Sequence, residues 1–347
     1  MTANSALDNG MDLREMAFGA LVGLGAKRGA ALLGNATDLA MDTFKESLIG
    51  EAFPSFWLEA PLAGEPGFDL HVYYDRGQVQ PGDRFTEGAG FGMQALFDWY
   101  FGSESSGVGV GFAHDLRGGQ RVTGAYVNFN HKPLSDMPGF FNALGSPESC
   151  GPAVSLMARL PKSWNPWYLG LFPGRPEAGV RVGSFVSRRR QADYARETRE
   201  IAADLEAAGF DALDGEMLAC VQALAALPYQ LELQLDATEA GTGETLGVDL
   251  TLDLSSPARV HEAFTANGAA AQACMLLESW GVADGRWSAI APSSFGMALP
   301  LPATAGNKKA LFISCLPAFI KAKWRGGQPQ PAKAYLQCAA CPVAMAG

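Results

Sequence analysis

Four residues near the C-terminus fall on alternate positions with related chemistry. Lys321 and Lys323 precede the turn-forming run Arg325-Gly-Gly-Gln-Pro-Gln-Pro331, and Lys333 and Tyr335 follow it. Residues 318–338 therefore predict a β-hairpin. Side chains two apart on a strand share a face, and this face carries cations and a phenol, groups able to hold an anion. Arg181, the one charge between Val180 and Val182, would add a further cation. Glu59 and His71 form a second set, a carboxylate and an imidazole suited to taking a proton. Tyr73, Tyr126, Trp167 and Tyr168 could supply faces that attract cations and exclude water. Glu232, Asp236 and Asp249 add acids. Each also has a plainer role: solvated edge-strand lysines, core aromatics, a surface carboxylate, a half-buried hydrogen-bonding histidine. Where the strands point their polar faces decides between them.

The 347 residues are 48% hydrophobic, enough for a large core, and the formal charge of −10 argues against nucleic acid as a general partner. Residues 1–14 lack a basic head followed by an apolar run, so no signal peptide is read. No apolar run approaches the roughly 20 residues that span a membrane. Of six cysteines, Cys150, Cys220, Cys274 and Cys315 sit in apolar surroundings and read as core; Cys338 and Cys341 form a lone Cys-x-x-Cys without a second pair. These features predict a cytoplasmic protein. Gly107-Val-Gly-Val-Gly111 falls inside a predicted strand, which excludes a dinucleotide fingerprint.

The elements that must position these residues alternate. Helical periodicity covers residues 10–50. Hairpins are predicted near residues 56–74, 107–130, 166–187, 229–254 and 318–338, with turns at Gly118-Gly119 and Pro173-Gly-Arg-Pro176 among them. Helices are predicted between them, including single long ones over residues 189–208 and 260–280. Five such units supply ten antiparallel strands, which can close into a barrel with helices outside. In residues 229–236, Leu231, Leu233 and Leu235 alternate with Glu232, Gln234 and Asp236. The apolar face must pack on helices, so the polar face would line a lumen too wide for side chains alone to fill. A two-layer sandwich with solvated outer faces is the competing architecture. The expected organisation is one α+β domain over residues 1–338 and a flexible tail over residues 339–347.

Five α-β-β-α units closing a ten-stranded barrel resemble the ABBA-type (PT-barrel) aromatic prenyltransferases across nearly the whole chain. Leu58-Glu59-Ala60 resembles the Leu-Glu-Ala start of the cyanobactin peptide prenyltransferases, and Asp115-Leu116-Arg117 resembles their Asp-Leu-Arg hairpin. Ala332-Lys333-Ala334-Tyr335-Leu336 is similar to the Lys-x-Tyr strand of indole prenyltransferases. Where cyanobactin enzymes carry Lys-x-His-x-Arg, this chain has Tyr126, Asn128 and Asn130.

The resemblance implies transfer of a dimethylallyl or geranyl group from its diphosphate to an indole or phenol, free or within a peptide. Arg181, Lys321, Lys323, Lys333 and Tyr335 would then hold the diphosphate. Tyr73, Tyr126, Trp167 and Tyr168 would shield the allyl cation, and Glu59 with His71 would take the proton. Glu232 and Asp249 permit a cationic acceptor instead, an arginine or histidine side chain. A non-catalytic binding barrel is the alternative from another class. No Asp-Asp-x-x-Asp sequence occurs, so Mg²⁺ is not indicated, no cofactor is required, and the prenyl diphosphate is a co-substrate.

Overall fold

A computed structural model describes residues 12–34, 38–85, 92–102, 107–117, 123–129, 134, 136–173, 179–300 and 309–344. Asn130 and the predicted turns at Gly118-Gly119 and 174–176 lie outside the described residues.

Eleven strands form one sheet: β1 (Ser55–Pro61), β2 (Asp69–Asp75), β3 (Gly107–His114), β4 (Thr123–Phe129), β5 (Trp164–Leu171), β6 (Val180–Val186), β7 (Gln230–Thr238), β8 (Gly241–Thr251), β9 (Phe295–Pro300), β10 (Lys309–Arg325) and β11 (Gln328–Ala344). All pairs are antiparallel. The order β11-β1-β2-β3-β4-β5-β6-β7-β8-β10 closes through β10–β11 pairing into a ten-stranded barrel, with β9 added beside the first half of β10. Closure removes the free edges that an open sheet would expose. Helices surround the barrel, which makes this a mixed α+β fold and excludes the sandwich. Among the described residues no helix is long and apolar enough to cross a membrane.

The alternation fixes which face is which. Leu231, Leu233 and Leu235 on β7, and Leu246, Val248 and Leu250 on β8, are buried outward against helices. Their neighbours Glu232, Gln234 and Asp249 turn inward. The main core thus lies between barrel and helices, built on aromatic clusters such as Phe18, Phe44 and Phe56.

Three expectations change. The single helix over residues 189–208 is two, Arg188–Arg196 and Thr198–Ala207, because Glu197 is extended (φ −145, ψ 119). Arg190 spans the break, with Nε 2.7 Å from Asp204 and Nη1 2.6 Å from Glu200. The helix over residues 260–280 is likewise two, Pro257–Ala263 and Ala269–Ser279, separated around Gly268. The tail is not free from residue 339: β11 continues to Ala344, where it meets Lys309. The last hairpin therefore starts at Lys309 rather than near residue 318. Small apolar side chains without alternation hid this pairing from the sequence.

Two register shifts aim the last hairpin. The first lies between Pro317 and Phe319, the second between Lys321 and Lys323. Ser314 and Leu316 line the lumen before the first shift, Phe319 and Lys321 after it. The extra residue of a bulge changes which alternate positions face inward. Gly326 and Gly327, at φ 53 and 73, make the tight turn.

Candidate functional site

The lumen holds a cavity of about 610 Å³, within the roughly 300–1,000 Å³ typical of small-molecule sites. Of the predicted residues, Glu59, His71, Tyr73, Tyr126, Trp167, Tyr168, Arg181, Glu232, Asp249, Lys321 and Tyr335 line it. Lys323 and Lys333, also expected to face the lumen, are not part of its lining: a register shift separates Lys323 from Lys321, and Lys333 is engaged by Glu59. The geometry therefore gathers residues from β1, β2, β4, β5, β6, β7, β8, β10 and β11 around one space.

Glu59 is the hub of one side. It pairs with Tyr335 across β1–β11 and with Asp69 across β1–β2. His71 Nε2 lies 2.9 Å from Glu59 Oε2, and the Lys333 ammonium donates to Glu59 Oε1. Arg117 Nη2 stands 4.0 Å from the same carboxylate and is held by Asp69 through Nε (2.8 Å) and Nη2 (2.5 Å). Burial, followed by the charge of Glu59, keeps the Tyr335 phenol protonated well above its ordinary range. The His71 ring packs edge-on to Tyr335 at 5.7 Å and tilted to Tyr126 at 6.2 Å.

A second, acidic cluster lies on β7, β8 and β10. Gln234 Nε2 donates to Glu232 Oε1 at 2.8 Å and to Asp249 Oδ2 at 2.6 Å. The Lys321 ammonium donates to Gln234 and lies 3.5 Å from Asp249. Burial, then the neighbouring charge of Asp249, pushes the Glu232 carboxyl up to about 8. Burial also raises Asp249 and lowers Lys321, outweighing their mutual attraction. Lys321 and Lys333 are direct cross-strand neighbours. Like charges so placed repel, and Asp249 and Glu59 offset one cation each.

The third cation is also paired. Arg181 makes a bidentate contact with Asp236, 2.7 Å and 3.0 Å, and lies 5.2 Å from the centre of the Phe172 ring. Burial would depress this guanidinium, but the Asp236 carboxylate overrides it and keeps Arg181 charged. Among the described residues, no carboxylate forms an ion pair with Lys323. Burial, then Arg181 and Lys333, pushes Lys323 down to about 7.

Aromatic side chains make the remaining wall. Trp57 meets Tyr73 edge-on at 5.5 Å, Tyr73 stacks towards Tyr126 at 6.3 Å, and Trp167 meets Tyr168 at 5.2 Å. Burial raises the Tyr126 and Tyr168 phenols well above their usual range, so both stay neutral. The site can thus hold a mixed polar and apolar occupant: apolar or cationic parts against the rings, anionic parts near Lys321 and Arg181, and a proton near Glu59.

Sequence reasoning did not single out Asp69, Arg117, Gln234 or Phe172 as site residues. Asp69 shares the alternation of His71 and Tyr73, so extending that face by one step reaches it. Gln234 stands between two inward acids. Phe172 and Arg117 lie beyond strand ends, where periodicity carries no signal. Among the described residues, no group of three or more histidine, cysteine or acidic side chains offers a metal site. Neither a scan against protein-family models nor a search of curated proteins finds a match to this chain.

Proposed function

We propose that the barrel is a prenyltransferase that moves a short isoprenoid, dimethylallyl or geranyl, from its diphosphate to an electron-rich acceptor inside the lumen. One observation supports it above the rest: a single cavity brings an aromatic wall, a set of cations and a carboxylate-imidazole pair together. The succession of helices and hairpins fits α-β-β-α units of the PT-barrel type. In the reaction, the C–O bond between isoprenoid and diphosphate breaks, and the electron pair leaves with the diphosphate towards Lys321, Lys323 and Arg181. Tyr126, Tyr168, Tyr335 and Trp167 shield the allyl cation. A carbon or nitrogen of the acceptor forms the new bond to it, and the displaced proton passes to Glu59, with His71 alongside. Three cations are already paired with carboxylates, so the diphosphate must compete for them. Among the described residues, Lys323 has no carboxylate partner, so engaging it would break no ion pair.

A cationic acceptor is the second reading, favoured by the acid pair. Glu232 and Asp249 stand beside aromatic rings, and Glu232 Oε2 has no hydrogen-bond partner among the described residues. A guanidinium or imidazolium would supply donors and charge there.

Mass spectrometry of reactions with dimethylallyl diphosphate tests both. An indole that gains one prenyl unit supports the aromatic acceptor; an alkylguanidine or imidazole that gains it instead supports the cationic one. Glu59→Gln should lower kcat by about 10²-fold or more. Product from neither acceptor class, together with no binding of the diphosphate, would leave a non-catalytic barrel.

A further inference from the structure

Three glycines on barrel strands have no conformational need to be glycine. Gly111 on β3, Gly170 on β5 and Gly183 on β6 are not among the positive-φ residues. Glycine inside a strand weakens it and marks a close approach by something else. The neighbour here is an aromatic ring each time. Tyr126 sits directly across from Gly111 on one side and from Gly170 on the other. Tyr168 sits across from Gly183. A Cβ at Gly111 would overlap the Tyr126 ring, and one at Gly183 would overlap the Tyr168 ring and come 2.7 Å from Glu232 Oε1. At Gly170 it would fall 2.8 Å from the Phe172 ring and 3.4 Å from Tyr126 Cβ. Each ring therefore occupies the space that a neighbouring side chain would fill.

Alternating small and large residues normally fill a barrel interior. Here they do not fill it, since about 610 Å³ stays open beside these rings. We propose that Gly111, Gly170 and Gly183 are specificity-determining residues of the lumen. They let Tyr126 and Tyr168 lie along the wall, and so reserve room in the lumen for a wide apolar occupant. A methyl group at these positions displaces the rings into the cavity, whose far side is fixed by Glu59, Lys321 and Tyr335. This assignment rests on the lumen being the binding site and is independent of the transfer chemistry.

The test is fluorescence titration with anilinonaphthalenesulfonate, a two-ring aromatic dye that brightens in apolar sites. Wild type should bind it saturably. Gly111→Ala and Gly183→Ala should weaken binding about tenfold or more, with melting temperature measured alongside to confirm folding. Gly183→Ala/Tyr168→Ala should restore affinity towards wild type, because the displaced ring is gone. If Gly183→Ala does not fold, the double variant still decides by folding and binding. Absence of wild-type binding, unchanged affinity in the folded single variants, or a double variant that binds no better than the single would overturn the assignment. A protein that shows the expected dye pattern yet transfers no prenyl group loses the proposed reaction and keeps this one.

Discussion

Lys323 and Glu232 are ionisable groups that burial pushes away from their charged forms, in opposite directions. The unfolded chain holds the Lys323 proton up to about 10.5, whereas the folded protein releases it near 7. Between those values the unfolded state binds more protons, so this residue makes stability rise with pH from about 7 towards 10.5. Glu232 does the reverse. Its unfolded value is 4.5 and its folded value about 8, so the folded state binds more protons in between and stability falls as pH rises through that window. Lys323→Met should therefore be more stable than wild type by roughly 1–2 kcal/mol near neutral pH and below, with the gain fading in strong alkali. Glu232→Gln should gain stability over wild type as pH rises to about 8 and hold that gain above it. Urea unfolding midpoints measured across pH check both. A Lys323→Met protein no more stable than wild type in acid would place that ammonium in water.

At the scale of elements, the β10–β11 hairpin does most to shape the lumen. Its bulges turn Phe319 and Lys321 inward, and its extension carries Ser314 and Ala339 to the cavity wall. Truncation after Cys338 would remove the β11 partners of residues 309–314 on β10, leaving that stretch only its pairing with β9. The melting temperature should then fall by about 5 °C or more, read by differential scanning calorimetry; a free tail would leave it unchanged. The hairpins themselves were legible in the sequence, because Leu231, Leu233 and Leu235 alternate with polar residues at the strand period. The helix breaks at Glu197 and Gly268 were not. Arg/Glu spacing continues across the first, and an apolar run flanks the second, so periodicity alone bridges both. The strand over residues 339–344 was hidden for a different reason: its stability comes from pairing with β10, which no local signal records.

At the scale of the whole molecule, a chain of net charge −10 turns Lys321 and Arg181 into its lumen and pairs Lys333 with the lumenal Glu59. Eleven of the thirteen predicted site residues line the cavity, but alternation alone does not place them all: Lys323 and Lys333, expected on the face of Lys321 and Tyr335, are not in the lining, and consecutive Trp167 and Tyr168 both are, beside a register shift. The pairing of these site residues was beyond reach. Arg181 meets Asp236, and Lys333 meets Glu59, through strand registers that composition and spacing do not specify. Those pairs set the electrostatics. Under the proposed function, a diphosphate would have to loosen the ion pairs of Lys321, Lys333 and Arg181, whereas Lys323 has no carboxylate partner among the described residues. Because that ammonium has lost much of its charge by about pH 7, an arriving anion should draw a proton onto it.

Calorimetric titration with the thiolo-diphosphate analogue of dimethylallyl diphosphate addresses this most directly. It is run slightly above neutral pH in two buffers of different ionisation enthalpy. Saturable binding with uptake of close to one proton, and loss of that uptake in Lys323→Met, is the predicted result. No binding by wild type at millimolar analogue would contradict a prenyl diphosphate site in the lumen.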